Sequence, residues 1–284
     1  FGGGKATRSL DERAASSRIF KTEEVRLPPI LPDLPGVRKE FADYCTSVRR
    51  LDDMVGAVLD ELASAKRVED TIVIFLADHG MPFPGAKFNC YPDSLRTPLI
   101  IRWPKTVKDG GVDETHMVST VDLQSTILDA IGLSPTEVSD GRSFLPILLG
   151  EKQANRDVVF GQFYHIHGSD ALPTYSVLTR HSAYVFNPWS DGKRRFPRLS
   201  GGAFNAMQQA AKKDSAMAAR VKHLQYRSVE EFYNLSNDPS CLADLLDNPK
   251  SSQKLKNLRG LLREWMVQVE SPALNAFDKL KSKE

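Results

Sequence analysis

A continuous apolar run at residues 71–77, followed directly by Asp78, His79 and Gly80, most constrains the fold of this 284-residue chain. The run is rich in β-branched residues and too short for an isolated helix, so it predicts a strand. Strands that lack polar alternation are typical of parallel sheets covered on both faces. We therefore predict a buried parallel strand whose carboxyl end carries these three residues.

The segments around this strand follow the order helix, strand, loop, strand, helix. Residues 37–66 predict a long amphipathic helix, 98–103 a second buried strand, and 122–131 a helix closed by Gly132. This order is typical of α/β proteins, so we expect a mostly parallel sheet flanked by helices. The apolar residues expected to face inward on the two helices are Phe41, Tyr44, Val48, Leu51, Val55, Leu59, Leu62, Leu123, Ile127, Leu128 and Ile131.

The second half of the chain has shorter periodic segments separated by turns. We predict short strands and two helices there, so residues 1–150 are expected to form the catalytic part and 151–284 a smaller α+β subdomain. The predicted strands are 158–163, 175–179, 183–186 and 231–235, and the predicted helices are 205–223 and 253–269.

Composition excludes several classes of protein. A formal charge of +2 argues against nucleic acid as the main partner. No apolar run reaches the roughly 18 residues that a membrane-spanning helix needs. The three cysteines are widely spaced, which argues against a zinc ribbon or a disulfide framework. The chain begins at Phe1 without an apolar leader, and we expect it to start inside a longer gene product.

Asp78 and His79 are the first candidates for chemistry. Functional groups gather at the carboxyl ends of strands in open parallel sheets, because loops leave there into a shared crevice. A carboxylate and a neutral imidazole side by side could hold a divalent cation. Lys87 follows in the next loop, and its ammonium group is suited to an anionic oxygen. An unrelated strand-end turn with a solvated lysine is the alternative.

Several motifs together make the resemblance to a known family specific. The chain resembles the sulfatase family of the alkaline phosphatase-like superfamily over most of its length from residue 37 onward. The stretches that carry this resemblance are Arg50-Leu51-Asp52, Asp78-His79-Gly80, Lys87, Arg96-Thr97-Pro98, Trp103-Pro104, Asp122-Leu123, Asp140-Gly141-Arg142-Ser143 and Glu231-x-Tyr233-Asn234-Leu235.

The resemblance implies roles for individual residues. It implies a calcium ion held by Asp78 and His79, with Lys87 contacting sulfate oxygens. The loop after Gly80 and the stretch 161–165 are most similar to the heparan N-sulfatase-like branch of the family. His165 and His167 then fall where the family places substrate-recognition groups, and His165 is also a candidate catalytic residue.

The chain also departs from the family. Sulfatases use a formylglycine made within C-x-P-S-R and an early Asp-Asp pair, and neither motif occurs in this sequence. We expect both upstream of Phe1. The stretch that begins at Cys45 only resembles the nucleophile motif and lies in a helical pattern. The family commonly has arginine where this chain has Tyr175, which weakens the expectation of anionic-sugar recognition at that position.

Other polar residues carry weaker expectations. Arg180 and His181 are candidate pocket residues, although we expect them at the surface, while His116 and His223 show no partner in the sequence. Cys90 lies in the loop beside Lys87, where we expect it to serve packing.

Taken together, these features predict a sulfuric ester or N-sulfoglucosamine hydrolase acting on a sulfated small molecule or glycan. This chain supplies part of its catalytic apparatus and is expected to be inactive alone. A phosphomonoesterase or phosphodiesterase of the same superfamily is one alternative, and a noncatalytic fragment or pseudoenzyme is another. The resemblance leaves the periplasm, the lysosome and the exterior of the cell open as compartments.

Overall fold

The computed structural model describes residues 15–134, 139–166, 168, 170–197 and 199–281. Within these residues the chain forms helices that flank two separate sheets. The helices are α1 (Pro35–Ser64), α2 (Pro92–Leu95), α3 (Asp122–Ala130), α4 (Leu145–Leu148), α5 (Gly202–Ala210), α6 (Ser215–Gln225), α7 (Ser252–Gln268) and α8 (Leu274–Lys281). The strands are β1 (Val73–Leu76), β2 (Leu99–Arg102), β3 (Val158–His165), β4 (Ala171–Thr179), β5 (Ser182–Phe186) and β6 (Glu230–Asn234).

The first sheet consists of β1 and β2, which confirm both strands expected in this region. They pair antiparallel, with Val73 opposite Arg102, so the expected parallel pairing is wrong for these two strands. The chain reverses its direction in the loop between the two strands, so β2 runs back beside β1. The two strands are also less buried than expected. In β1, Leu76 is 37% exposed, and in β2, Leu99 and Ile100 are 36% and 62% exposed.

Helix α1 confirms the long helix predicted from apolar periodicity. Pro35 stands in its first turn, where a missing backbone N–H costs nothing. Only the N-terminal part of its apolar stripe is buried, where Val37 and Phe41 pack against Phe83. Further along, Val48 and Leu51 are about half exposed, contrary to the predicted inward face.

Helix α3 is confirmed, but its buried face is polar. Asp122, Ser125 and Thr126 are buried, whereas the predicted inward residues Ile127 and Ile131 are 45% and 60% exposed. The helix turns its polar face to the segment that begins at residue 139, where hydrogen bonds replace apolar packing. Ser125, for example, donates a hydrogen bond to the Gly141 carbonyl.

The second sheet has the order β3-β4-β5-β6 with antiparallel neighbours throughout, which confirms the four short strands. Helices α7 and α8 cover one face, and their side chains Leu262 and Phe277 form a core with Tyr175 and Phe186. This core holds seven of the twelve largest fully buried side chains among the described residues. Helix α8 has no counterpart among the predicted elements.

The single helix predicted over 205–223 is two helices, α5 and α6. Asp214 separates them, and its carboxylate accepts hydrogen bonds from the backbone N–H groups of Ala216 and Met217 at the start of α6. Such an N-cap favours a new helix start over a continuous helix. In the sequence, the start of a second helix is indicated by an aspartate between two alanine-rich segments.

The α/β class is confirmed, with sheets flanked by helices. The proposed division at residue 150 stays a prediction. A buried ion pair crosses it, since Arg156 Nη1 lies 2.5 Å from Asp122 Oδ2. Among the described helices, none combines the length and the apolar character needed to span a membrane.

Candidate active site

An open cavity of about 1290 Å³ lies between the end of β1, the loop that precedes β2 and the edge of the second sheet. Asp78, His79, Lys87 and His165 all line it. The structure therefore brings together the sequence-predicted site residues that it describes. His167, the remaining predicted substrate contact, lies outside the described residues.

Asp78 and His79 directly follow β1, as the sequence predicted. His79 Nδ1 lies 2.8 Å from the carbonyl oxygen of Gly80. A carbonyl only accepts hydrogen bonds, so Nδ1 carries the proton in the neutral imidazole and the lone pair remains on Nε2. That nitrogen lies 3.4 Å from Asp78 Oδ2. A backbone carbonyl that fixes the tautomer in this way is typical of a metal-binding histidine.

Gly80 holds the start of the loop against α2. Its N–H donates a 2.8 Å hydrogen bond to the Ser94 carbonyl, and a Cβ at this position would lie 1.9 Å from the Asp93 carbonyl oxygen. The glycine is therefore required by close approach of two backbone segments. This approach fixes where Asp78 and His79 stand relative to the rest of the loop.

Lys87 lies in the middle of the loop with its ammonium nitrogen 4.9 Å from the ring centroid of Phe88. Phe88 has φ of 61°, which is rare for a residue with a side chain. Such conformations persist where surrounding contacts hold them, and they cluster at functional sites. Phe88 in turn packs against Phe163 of β3, which ties the lysine to the second sheet.

Asn89 is a site residue that the sequence reasoning missed. Its buried amide donates hydrogen bonds to the carbonyls of Gly85 and Lys87 at 3.0 and 2.9 Å. Its Oδ1 accepts a 2.9 Å bond from the N–H of Tyr91. Asparagine commonly hydrogen-bonds nearby backbone in loops, so its place two residues after a candidate lysine was the available signal.

His165 ends β3 beside a register irregularity between Phe163 and His165. Bulges often occur next to active sites, where they re-aim a side chain. The His165 side chain is exposed into the cavity, and its ring lies edge-on to Tyr164 at 6.1 Å.

The other polar candidates divide between the cavity and the scaffold. Arg180 lines the cavity, although it was expected at the surface, while His181 bonds Ser236. His116 also lines the cavity, but both of its nitrogens are engaged. Its Nδ1 lies 2.6 Å from Asp113 Oδ2, and its Nε2 accepts the N–H of Gln153 at 3.1 Å. His116 is therefore part of the cavity wall.

Two of the cysteines, Cys45 and Cys90, are structural. Cys45 lies within α1, which agrees with a false match to the nucleophile motif. Cys90 is fully buried, and its Sγ donates to the Thr174 carbonyl at 3.3 Å. Burial raises the pKa of the Cys90 thiol well above its ordinary value, so it remains protonated and unreactive at neutral pH.

The donor set is suited to part of a metal site. Asp78 Oδ2 and His79 Nε2 lie 3.4 Å apart, so a carboxylate oxygen and an imidazole nitrogen are close enough to bind one cation. Among the described residues, no group of three or more histidine, cysteine, aspartate or glutamate side chains could hold a metal ion. These two residues could therefore contribute two ligands to a larger set.

Comparisons with known proteins agree with this geometry. Residues 5–133 match the model of the Sulfatase family, and residues 85–186 match the model of the N-sulphoglucosamine sulphohydrolase C-terminal region. The chain is 33% identical to human N-sulphoglucosamine sulphohydrolase over 270 residues, which cover 90% of this chain and 53% of the relative. It is 26% identical to an ulvan-active sulfatase from Formosa agariphila, covering 96% of this chain and 46% of the relative.

A solved structure gives the same fold. A protein determined in complex with its substrate D-glucosamine-2-N,6-O-disulfate superposes with a TM-score of 0.60 at 21% identity. The superposition covers 84% of this chain and 42% of the other. The chain has an alkaline phosphatase-like α/β fold, and it belongs to the sulfatase family. It spans about half the length of the curated relatives it matches. Members of this family carry a metal ion and a formylglycine.

Proposed function

We propose that this chain supplies part of the active site of a sulfuric ester or N-sulfoglucosamine hydrolase. The observation that carries the proposal is that Asp78 Oδ2 and His79 Nε2 lie 3.4 Å apart, where both could bind one cation, in the cavity that Lys87 also lines. These groups combine ligands for a divalent cation with a positive charge for an anionic substrate. The proposed substrate is a sulfated glycan or a related small molecule.

Each residue has a defined part in this proposal. Asp78 and His79 would hold a calcium ion, which would draw negative charge from the sulfate oxygens when bound. Lys87 pairs with a nonbridging sulfate oxygen and offsets the charge that develops during transfer. His165 bonds the sugar or the departing group from the edge of β3. His167 remains a predicted second contact to the substrate.

The proposed calcium assignment rests on the carboxylate and on the family. Calcium prefers oxygen ligands, whereas an imidazole nitrogen is a common ligand of zinc and other transition metals. Elemental analysis of the whole protein containing this chain distinguishes the two. Stoichiometric calcium that is lost in Asp78→Ala supports the assignment, and stoichiometric zinc in its place contradicts it.

The hydrolase assignment is tested by kinetics of the same whole protein with an aryl sulfate and with N-sulfoglucosamine. Lys87→Ala is expected to lower kcat/KM by about 100-fold or more, in the range found for loss of a group that stabilises transition-state charge. Lys193→Ala, on the exposed loop after β5, is the matched control and should leave kcat/KM unchanged. Equal activity of both variants would refute the role of Lys87. Higher turnover of a phosphate monoester than of either sulfated substrate would favour the phosphatase alternative.

A further inference from the structure

A buried polar cluster adjoins the Lys87 loop, and its residues are not among those that line the cavity. At its centre is Glu231 of β6, which is completely buried. Its Oε2 accepts hydrogen bonds from the hydroxyls of Tyr91 and Tyr233 at 2.5 and 2.8 Å, and its Oε1 accepts from Asn187 Nδ2 at 3.2 Å. One carboxylate thus joins the loop that carries Lys87 to β6 and to the residue that follows β5.

Arg227 and His223 lie beside the buried carboxylate of Glu231. The guanidinium of Arg227 lies 4.8 Å from the centroid of the Tyr91 ring, and His223 Nε2 is 3.7 Å from Glu231 Oε2. Burial alone would raise the pKa of Glu231, but His223, Arg227 and the Tyr91 hydroxyl together hold it below its usual value. The group is an ionised acceptor at neutral pH, and hydrogen bonds to an ionised acceptor are stronger than neutral ones.

The cluster is connected to Lys87 through a short series of hydrogen bonds. The Tyr91 side chain is held by Glu231, and the Tyr91 backbone N–H is bound by Asn89 Oδ1. The amide of Asn89 in turn holds the carbonyl of Lys87. Phe88 lies between Lys87 and Asn89 in the chain and has a left-handed backbone conformation, which needs support from its surroundings. A shift of the Tyr91 ring would therefore be transmitted to the backbone of Lys87.

We propose that Glu231 is a positioning residue for Lys87, acting through Tyr91 and Asn89. This inference rests on the proposed function, since it assigns Glu231 a role in presenting Lys87 to the substrate anion. Glu231 does not contact the cavity, so its effect on turnover passes through the loop. Misplacement of a binding group by a fraction of an ångström or more is enough to lower catalysis.

The neighbouring strand residue provides a matched control. Glu230 lies beside Glu231 on β6, and successive strand residues point to opposite faces. Glu230 accepts a hydrogen bond from the buried hydroxyl of Tyr184, on the face covered by α7 and α8. Tyr184→Phe and Tyr91→Phe therefore each remove one tyrosine-to-glutamate hydrogen bond to neighbouring residues of β6. Only the second of these bonds involves the Lys87 loop.

The test is a double-mutant cycle in the whole protein containing this chain, with kcat/KM for a sulfated substrate as the readout. Tyr91→Phe is expected to lower kcat/KM by about 10- to 100-fold, within the loss that corresponds to one hydrogen bond to a charged group. In the Lys87→Ala background the same change should have an effect below about 2-fold. Tyr184→Phe should leave kcat/KM unchanged in both backgrounds. An equal loss from Tyr91→Phe with and without Lys87 would overturn the proposal.

Hydrogen exchange of the amides at residues 85–91 separates this proposal from the proposed function. Tyr91→Phe should increase exchange in this segment at least 10-fold, while Tyr184→Phe should not change it. If Lys87→Ala keeps full activity but the exchange result holds, the proposed function fails while the anchoring of the loop stands. Unchanged exchange in Tyr91→Phe refutes the anchoring directly. If Tyr91→Phe does not fold, Glu231→Gln, which keeps the shape and removes the charge, replaces it in both measurements.

Discussion

The two sheets of this chain have similar apolar sequences but very different surroundings. In β4 and β5 the side chains of Tyr175 and Tyr184 are completely buried, and helices α7 and α8 cover them. In β2, Ile100 is 62% exposed, although three of the four residues of its strand are apolar. Apolar composition therefore indicates that a strand can be buried, whereas its actual burial depends on the layers packed against it.

The difference in burial between the two sheets also distinguishes the well-packed part of the fold from the part that presents the candidate site residues. The second sheet has its own core within the described residues, and one edge of it forms a wall of the candidate active site. The first sheet presents Asp78 and His79 at the end of β1 and is less completely covered. The site thus stands at the junction of a well-packed region and a more exposed one, and the Lys87 loop connects them.

The largest expected difference between the two sheets concerns their cores. Phe277→Ala removes a ring that packs edge-on against Phe186 at a centroid distance of 5.0 Å. We expect it to lower the free energy of unfolding by about 3–5 kcal/mol, as for other buried phenylalanines. Ile100→Ala, at the exposed strand, should cost less than about 1 kcal/mol. Denaturant titration of the whole protein followed by circular dichroism measures both.

The result for Ile100→Ala can contradict the difference in burial between the two sheets. A loss of several kcal/mol from Ile100→Ala would mean that β2 is as deeply packed in solution as the second sheet. The contrast in burial drawn from the described residues would then not describe the assembled protein.

A somewhat smaller effect is expected at the ion pair that joins the two regions. Asp122 and Arg156 are both more than nine-tenths buried, and the carboxylate also accepts the N–H groups of Ser119 and Arg142. Asp122→Ala leaves the Arg156 charge buried without this partner, which should cost about 3 kcal/mol in the free energy of unfolding.

The exposed pair of Arg18 and Glu24 provides the control for this prediction. Glu24→Ala removes one partner of an ion pair at the surface and should leave the midpoint of denaturant unfolding nearly unchanged. Similar losses from Asp122→Ala and Glu24→Ala would show that the buried pair contributes little to holding the two regions together.

Much of the fold could be predicted from local patterns. Periodicity located α1 and the four strands of the second sheet, and a strand followed by Asp78-His79-Gly80 located the first half of the site. Pairing direction could not be predicted in the same way. The 71–77 run indicated a strand, but whether β2 returns antiparallel depends on the path of the loop, which the apolar pattern does not encode.

The site was only partly predictable for a related reason. Asp78, His79 and Lys87 carry recognisable chemistry and lie near one another in sequence. Glu231 is 140 residues from Tyr91, and their contact depends on how the loop packs on β6. Buried polar partners of this kind become visible only when tertiary structure brings them together. His223 was judged to lack a partner for the same reason.

The smallest of the predicted effects concerns two glycines that the sequence does not distinguish. Gly80→Ala would place a methyl group 1.9 Å from the Asp93 carbonyl, so α2 or the loop must shift. We expect a loss of about 1–3 kcal/mol in the free energy of unfolding, as for other overpacked sites. Gly56 lies in α1, where a Cβ would meet nothing within 4 Å, so Gly56→Ala should stabilise by up to about 1 kcal/mol. Opposite signs in thermal unfolding would support close backbone approach as the reason for Gly80. Stabilisation by both changes would contradict the packing of α2 against the loop that begins at Gly80.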